Sequence, residues 1–179
     1  MKQLFYGAAI FAAIAGSGIA SAQSNTPTMS AVSASGLAIR GGVVVPFDDN
    51  LRDISKTFVG IGAEYTFTHQ FLANSETYIS LDWIAKNING GDSFYPVCIN
   101  QRFYTGNSRY GSGRAYFFVG LGETFYNLGD DSKKLGGRGG IGMEFGPSLF
   151  FEGAAFFAGK DTGGTSGNAI GAYLGYRFK

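Results

Sequence analysis

The stretch Arg114-Ala115-Tyr116-Phe117-Phe118-Val119-Gly120-Leu121-Gly122-Glu123-Thr124-Phe125-Tyr126-Asn127 sets two kinds of residue on alternate positions. Ala115, Phe117, Val119 and Leu121 form one series; Tyr116, Phe118, Gly120 and Gly122 form the other. Side chains alternate across a β-strand, so a period of two marks a strand whose faces meet different surroundings. The first series is apolar throughout. The second mixes large aromatics with glycines, which gains nothing on a water-washed surface. It suits the inside of a narrow closed sheet, where small residues make room for large ones. Glu123 is the misfit: alternation puts it on the apolar face, late in the strand, where an interface or a bulge would accommodate it.

The same alternation recurs along the chain and predicts strands at 36–47, 57–68, 76–87, 94–104, 114–127, 138–146, 148–158 and 168–178, with no convincing helix. The segments between them are rich in Gly, Asn, Asp and Ser, as turns require. Glu123 apart, one face of these strands carries no charge: Ile39 and Val43, Ile61 and Ala63, Ile79 and Leu81, Val97 and Ile99, Ile141 and Met143, Phe151 and Ala155, Ile170 and Leu174 are typical. The other face holds Arg40, Glu64, Asp82, Lys86, Arg102, Glu144, Glu152 and Arg177 among glycines and the aromatics Phe58, Tyr78, Tyr104, Tyr116, Phe118 and Tyr173. Basic and acidic groups are equal in number there. A buried carboxylate or guanidinium costs several kcal/mol unless partnered, so balance suits a closed interior. Cys98 falls on this inward face and reads as a small buried residue.

Composition points the same way. Charged residues make up 15% of the 179 positions, against about 25% in ordinary soluble domains. The 29 glycines are more than double the usual share of about 7%, without a collagen period. A single cysteine and a single histidine exclude a disulfide framework and a zinc site of the usual ligands. No metal or cofactor is expected. A net charge of +1 argues against nucleic acid as a partner.

Residues 1–22 read as a secretory signal peptide: Lys2 is followed by the apolar stretch Leu4 to Ile19 and by the small-residue pattern Ala20-Ser21-Ala22. Residues 23–35 are Ser/Thr-rich and uncharged, a flexible tail. Residues 36–179 form the folded part. Its strands have the length, about 9–11 residues, that crosses a hydrocarbon layer when tilted. A closed barrel leaves no backbone group unpaired against lipid. Aromatics such as Phe47, Tyr65, Phe67, Tyr95, Phe103, Phe145, Phe157, Tyr176 and Phe178 lie near strand ends, as interfacial girdles require.

A short pattern repeats: Gly60-Ile61-Gly62-Ala63-Glu64-Tyr65 returns as Gly140-Ile141-Gly142-Met143-Glu144-Phe145, with a looser echo from Gly120 to Phe125. The last segment ends Tyr173-Leu174-Gly175-Tyr176-Arg177-Phe178. Together with the leader and the alternating strands, this resembles the small outer-membrane β-barrel proteins of the OmpA/OmpX-like type. The resemblance implies an all-β, closed, eight-stranded antiparallel up-and-down transmembrane barrel. It implies outer-membrane lipid as the surrounding and the barrel-insertion machinery as a partner reading the C-terminal strand. In that family the strand ends in an aromatic, which Phe178 matches; Lys179 departs from the pattern. The family's orientation puts both termini in the periplasm, with 48–56, 88–93, 128–137 and 159–167 as external loops and 69–75, 105–113 and 146–148 as internal turns.

No catalytic constellation emerges. His69 lies in a predicted turn with Ser75 and Glu76 near it only in sequence, so no enzyme is expected. The glycine run from Gly136 to Gly142 is not followed by a helix and reads as interior and turn glycines rather than a phosphate cradle. Asp48, Asp49, Asp53, Asp130 and Asp131 read as loop charges with Arg52, Lys56, Lys133 and Lys134 beside them. The expected role is structural or surface-interacting, with a filled, charge-paired interior. Two alternatives stand beside it: a narrow pore for very small solutes, and a soluble periplasmic β-barrel binding protein.

Overall fold

The computed structural model describes residues 36–67, 75–89, 91–105, 114–128 and 131–178. Residues 1–35, expected as signal peptide and tail, and His69, Asp130 and Lys179 lie outside these residues. The strands are β1 (Leu37–Pro46), β2 (Phe58–Thr66), β3 (Ser75–Ala85), β4 (Ser93–Thr105), β5 (Arg114–Asn127), β6 (Asp131–Phe145), β7 (Leu149–Ala158) and β8 (Ala169–Arg177); among the described residues one short helix, α1 (Asp49–Ile54), lies between β1 and β2. Each strand pairs antiparallel with its sequence neighbour, and β8 returns to β1, closing an eight-stranded barrel. Closure removes the sheet edges that an open meander would leave unpaired. Followed once around the wall, the register re-enters β1 about ten residues from its start. Such a stagger accompanies a strand tilt of roughly 35–45°. Among the described residues no helix is long and apolar enough to cross a membrane; the apolar surface belongs to the strands.

The apolar series points outward. Val43, Ile99, Val119, Leu121, Ile141, Ile170 and Leu174 are all more than half exposed. Phe58, Tyr78, Tyr116, Phe118 and Tyr173 from the mixed series are buried inside. The inward glycines are spaces for these rings. Gly142 is the cross-strand partner of Tyr116, and a Cβ built there would run into the Tyr116 ring. Gly175 stands in the same relation to Phe150. By contrast, Gly153 faces outward, where an added Cβ meets only the Ile141 carbonyl oxygen at 4.0 Å.

Two elements differ from expectation. β6 begins at Asp131 rather than 138, so most of the segment expected as an external loop is strand. Residues 131–137 pair with 121–127 in unbroken register. Lys133 on the outward series and Gly137 beside Leu135 dilute the apolar signal there, which hides the period of two. Within the Gly136–Gly142 run, Gly137 and Gly139 face outward rather than into the lumen, each across from an outward residue of β5. α1 is the second difference, since six residues are too few for a helical period to register.

α1 closes the barrel at the mouth away from the chain termini. Val44, Phe58, Ile84, Phe94, Tyr126 and Phe156 line that end of the lumen, and Leu51 of α1 packs onto them with no exposed surface. A six-residue helix has little stability of its own, so its hold comes from this burial and from its ties. The Asp48 carboxylate caps it, accepting from the Leu51 N–H at 3.1 Å, and also accepts from Ser166 Oγ at 2.7 Å. Asn50 Nδ2 donates to the Gly164 carbonyl at 3.0 Å. Tyr126 Oη accepts from the Gly167 N–H and donates to the Gly159 carbonyl, each at 2.8 Å. Segment 159–168 and α1 thus form one knitted cover. Asp48, expected as a loop charge, is its half-buried fastening.

If the inward glycines are spaces for rings, Gly142→Ala lowers stability to urea by about 1–3 kcal/mol through overpacking, while Gly153→Ala changes it by less than about 0.5 kcal/mol. Equal costs at both positions in equilibrium unfolding would overturn that explanation.

Candidate functional site

Inward positions along the strands bring charged residues from six different strands into one cluster. Arg40 on β1, Gly62 on β2 and Asp82 on β3 are successive cross-strand partners. With no side chain on Gly62, the Arg40 guanidinium passes across β2 to Asp82, at 2.9 Å from each carboxylate oxygen. A Cβ on Gly62 would strike both Asp82 Oδ1 and Arg40 Nε. In its first copy the Gly-x-Gly-x-Glu pattern therefore makes room for an ion pair at Gly62 and supplies a partner two residues on, at Glu64; in the second copy Gly142 makes room for the Tyr116 ring instead. Arg40 Nη1 lies 3.0 Å from Glu64 Oε2.

From Glu64 and Asp82 the pairing spreads. Arg102 Nη2 lies 2.8 Å and 3.0 Å from the two Glu64 oxygens. Arg138 reaches Asp82 Oδ2 at 3.2 Å and binds Glu152 Oε1 through its other terminal nitrogen. Glu152 also accepts from Tyr116 Oη at 3.2 Å and stands 3.6 Å from Arg40. Three arginines and three carboxylates thus neutralise one another across the lumen, all at most 3% exposed. Aromatic rings complete their surroundings: the Arg102 guanidinium lies between Tyr78 and Tyr116, 4.3 Å and 4.7 Å from the centroids, and Arg138 lies over Phe118 at 4.6 Å. Such faces attract cations while excluding water.

Toward the termini the network becomes partly open. Glu144 accepts from Arg177 at 2.7 Å and pairs with Arg114 at 3.0 Å. Glu76 stands 3.6 Å from Arg102 and accepts from Tyr104 Oη at 2.7 Å. Arg114 stacks on the Tyr104 ring at 3.3 Å.

Of the residues expected inside, the structure brings together Arg40, Glu64, Asp82, Arg102, Glu144, Glu152 and Arg177. Lys86 is a correction: it is exposed, because β3 ends at Ala85 and strand parity stops there. Its place in the charge balance is taken by Arg138. Arg138 shares the even parity of Gly140, Gly142 and Glu144, but it was hidden at the boundary where the strand was expected to begin. Glu76 and Arg114, also on inward parity at strand starts, join it. Cys98 is buried in the lumen wall. Among the described residues no group of His, Cys, Asp or Glu is arranged to hold a metal ion.

No family model matches the sequence. No curated protein matches it either. Among solved structures, the backbone is similar to that of the Yersinia pestis outer membrane protein Ail in a phospholipid bilayer nanodisc. The two share 14% identity over 79% of this chain and 98% of that one, with a TM-score of 0.51. The fold is that of a small outer-membrane β-barrel. The architecture implied by the OmpA/OmpX-like motifs is therefore the one observed. Neisserial surface protein A is also similar, at 14% identity, 82% and 98% coverage and a TM-score of 0.47.

In a barrel of this fold Glu123 occupies the outward face, and the β5 registers on both sides of it run without a bulge. Its partner is Lys133, 3.6 Å away across the β5–β6 pair, and both are well exposed.

Removing one member of the buried cluster strands the others. Arg138→Met leaves Glu152 and Asp82 short of a cation and lowers stability by roughly 3–5 kcal/mol, whereas Lys86→Ala stays within about 0.5 kcal/mol of the wild type. Equilibrium unfolding of the two variants in detergent micelles separates a required interior charge from a spare one.

Proposed function

We propose that this chain is an integral outer-membrane protein, exported through its 1–22 leader, whose barrel serves a structural or surface-interaction role and is not a conduit. The observation that carries this reading is the inversion of the molecule: large apolar side chains outside, a water-inaccessible set of paired charges inside. A soluble barrel would need the opposite arrangement to keep its apolar surface from water.

The same observation weighs against a pore. An ion or small solute would have to displace Arg40, Arg102 and Arg138 with their carboxylates, then the apolar layer and Leu51. Separating such pairs in a medium of low dielectric is costly. In the family's orientation the termini face the periplasm, and the cover formed by α1 and segment 159–168 faces outward with the C-terminal end of β5 and the start of β6. That outer rim is the surface offered to partners. The reading assigns the protein no chemical step and no cofactor.

Three measurements test it. Cell fractionation places the protein in the outer membrane, with electrophoretic mobility that shifts on heating, as a barrel closed by a full backbone ladder resists detergent. Planar bilayers containing the protein carry no discrete current steps; regular steps would favour the narrow pore. Ile99→Arg, on the apolar belt, destabilises the inserted barrel by about 2–4 kcal/mol, and an unchanged urea midpoint would refute the lipid-facing assignment.

A further inference from the structure

The connection between β3 and β4 leaves the paired wall early. Its ladder ends at the Ala85–Ser93 pair, and the last backbone bond beyond it among the described residues runs from the Lys86 N–H to the Asp92 carbonyl at 3.0 Å. Asn87, Ile88 and Asn89 lie past that bond, all exposed. They stand at the mouth away from the termini, on the same rim as α1, because β3 leads there from Ser75.

The other described asparagines are held or shielded. Asn100 is 1% exposed, and its Nδ2 donates to Ser80 Oγ and the Cys98 carbonyl, each at 3.0 Å. Asn50 is tied to Gly164, and Asn168 Oδ1 accepts from the Ala158 N–H. Asn87 Oδ1 accepts from the Asn89 N–H at 3.0 Å, and the branched Ile88 follows it. Asn127 is exposed but is followed by Leu128. Asn89 differs on both counts. Its side-chain amide has no hydrogen bond to a described residue, and the next residue in the chain is Gly90. The backbone nitrogen that follows an asparagine can close a ring on the side-chain amide carbon where the chain is free to rotate and nothing crowds that nitrogen. A following glycine, without a Cβ, meets both conditions.

We infer that Asn89 is a site of spontaneous modification, at which its side-chain amide is converted to a carboxylate on the rim of the barrel. The Gly90 nitrogen attacks Asn89 Cγ. The new N–Cγ bond forms as the Cγ–Nδ2 bond breaks, and the proton lost from the Gly90 nitrogen leaves with Nδ2 as ammonia. Water then adds to either carbonyl of the resulting cyclic imide and opens it, giving an aspartate or its isomer linked through the side chain. The sum is amide plus water to acid plus ammonia, with no oxidant or reductant. Each event adds a negative charge to a loop that already carries Lys86 and Asp92. The isomer also lengthens the main chain by a methylene, which a loop outside the ladder absorbs without loss of the barrel. The inference goes beyond the role proposed above and does not rest on it: the chemistry needs only an exposed loop, and the membrane reading decides only which side the new charge faces.

The test incubates the full-length protein, folded in detergent micelles, in mildly alkaline buffer made with heavy-oxygen water, then digests it in ordinary water for peptide mass spectrometry. Heavy oxygen at a side-chain carboxylate records conversion during the incubation. Label accumulates at position 89, and part of the product is isoaspartate, detected by enzymatic methylation. N89Q abolishes the signal at that position. G90A slows it by about tenfold or more, since a Cβ crowds the nitrogen and narrows the backbone's range. Heat-shifted mobility of the aged protein is retained, which shows that the barrel stays folded while the loop reacts. Three results would overturn the inference: label that enters position 89 only in the urea-unfolded chain, which shows that the fold protects the loop; label that enters at Asn87 or Asn127 as fast as at Asn89; or a G90A rate equal to that of the wild type, which removes the Gly90 nitrogen from the reaction.

Discussion

A lumen this narrow admits no bulk water, so every charge inside it must find its counter-charge within the wall. The Arg40–Asp82 pair is where that requirement becomes architecture. It spans β2 over Gly62, ties β1 to β3, and through Asp82 and Glu64 draws in Arg138 and Arg102. Burial of such a network is not by itself a large source of stability, because desolvation offsets much of the attraction. Its consequence is selectivity: with all partners fixed, the strands have one register in which the interior is neutral. A slip by one residue would turn the charges to lipid and the apolar series inward.

The interior is divided along its axis. Charged groups fill the half near the termini and the middle, while Val44, Phe58, Ile84, Phe94, Tyr126 and Phe156 fill the half beneath α1. The division lets the two mouths behave differently. At the terminal end, Glu144 and Arg114 remain partly accessible, and their pairing can be shared with water. At the far end, an apolar layer under Leu51 keeps water out, and the polar groups of the cover satisfy each other through Asp48, Ser166, Asn50 and Tyr126. Closure there is therefore a property of loop residues acting on a strand-built socket.

Much of the wall was legible in the amino-acid pattern. The parity of Tyr116, Phe118, Gly140 and Gly142 identified the inward face, because alternation is imposed by the backbone of each strand separately and needs no knowledge of neighbours. Legibility failed where a strand ends or a pattern is diluted. Lys86 continues the parity of Asp82 and Ile84, yet it lies one residue past the strand, where parity has no meaning. Arg138 sits among glycines whose small side chains give no apolar contrast. Leu51 is one buried leucine in a six-residue helix, a signal too short to stand out from a loop.

The sequence by itself determined the strand periodicity, the two opposed faces and the balance of charge between them, since each depends only on residues close together in the chain. The tertiary structure alone decided which charges meet. Closing the sheet with its stagger carries positions from distant strands to the same level, so that Arg40, Asp82, Arg138 and Glu152 converge although up to 112 residues separate them in the chain. It also decided that Leu51 would seal the mouth. Neither outcome can be read from a local pattern, because both depend on how far each strand is displaced along its neighbour when the barrel closes.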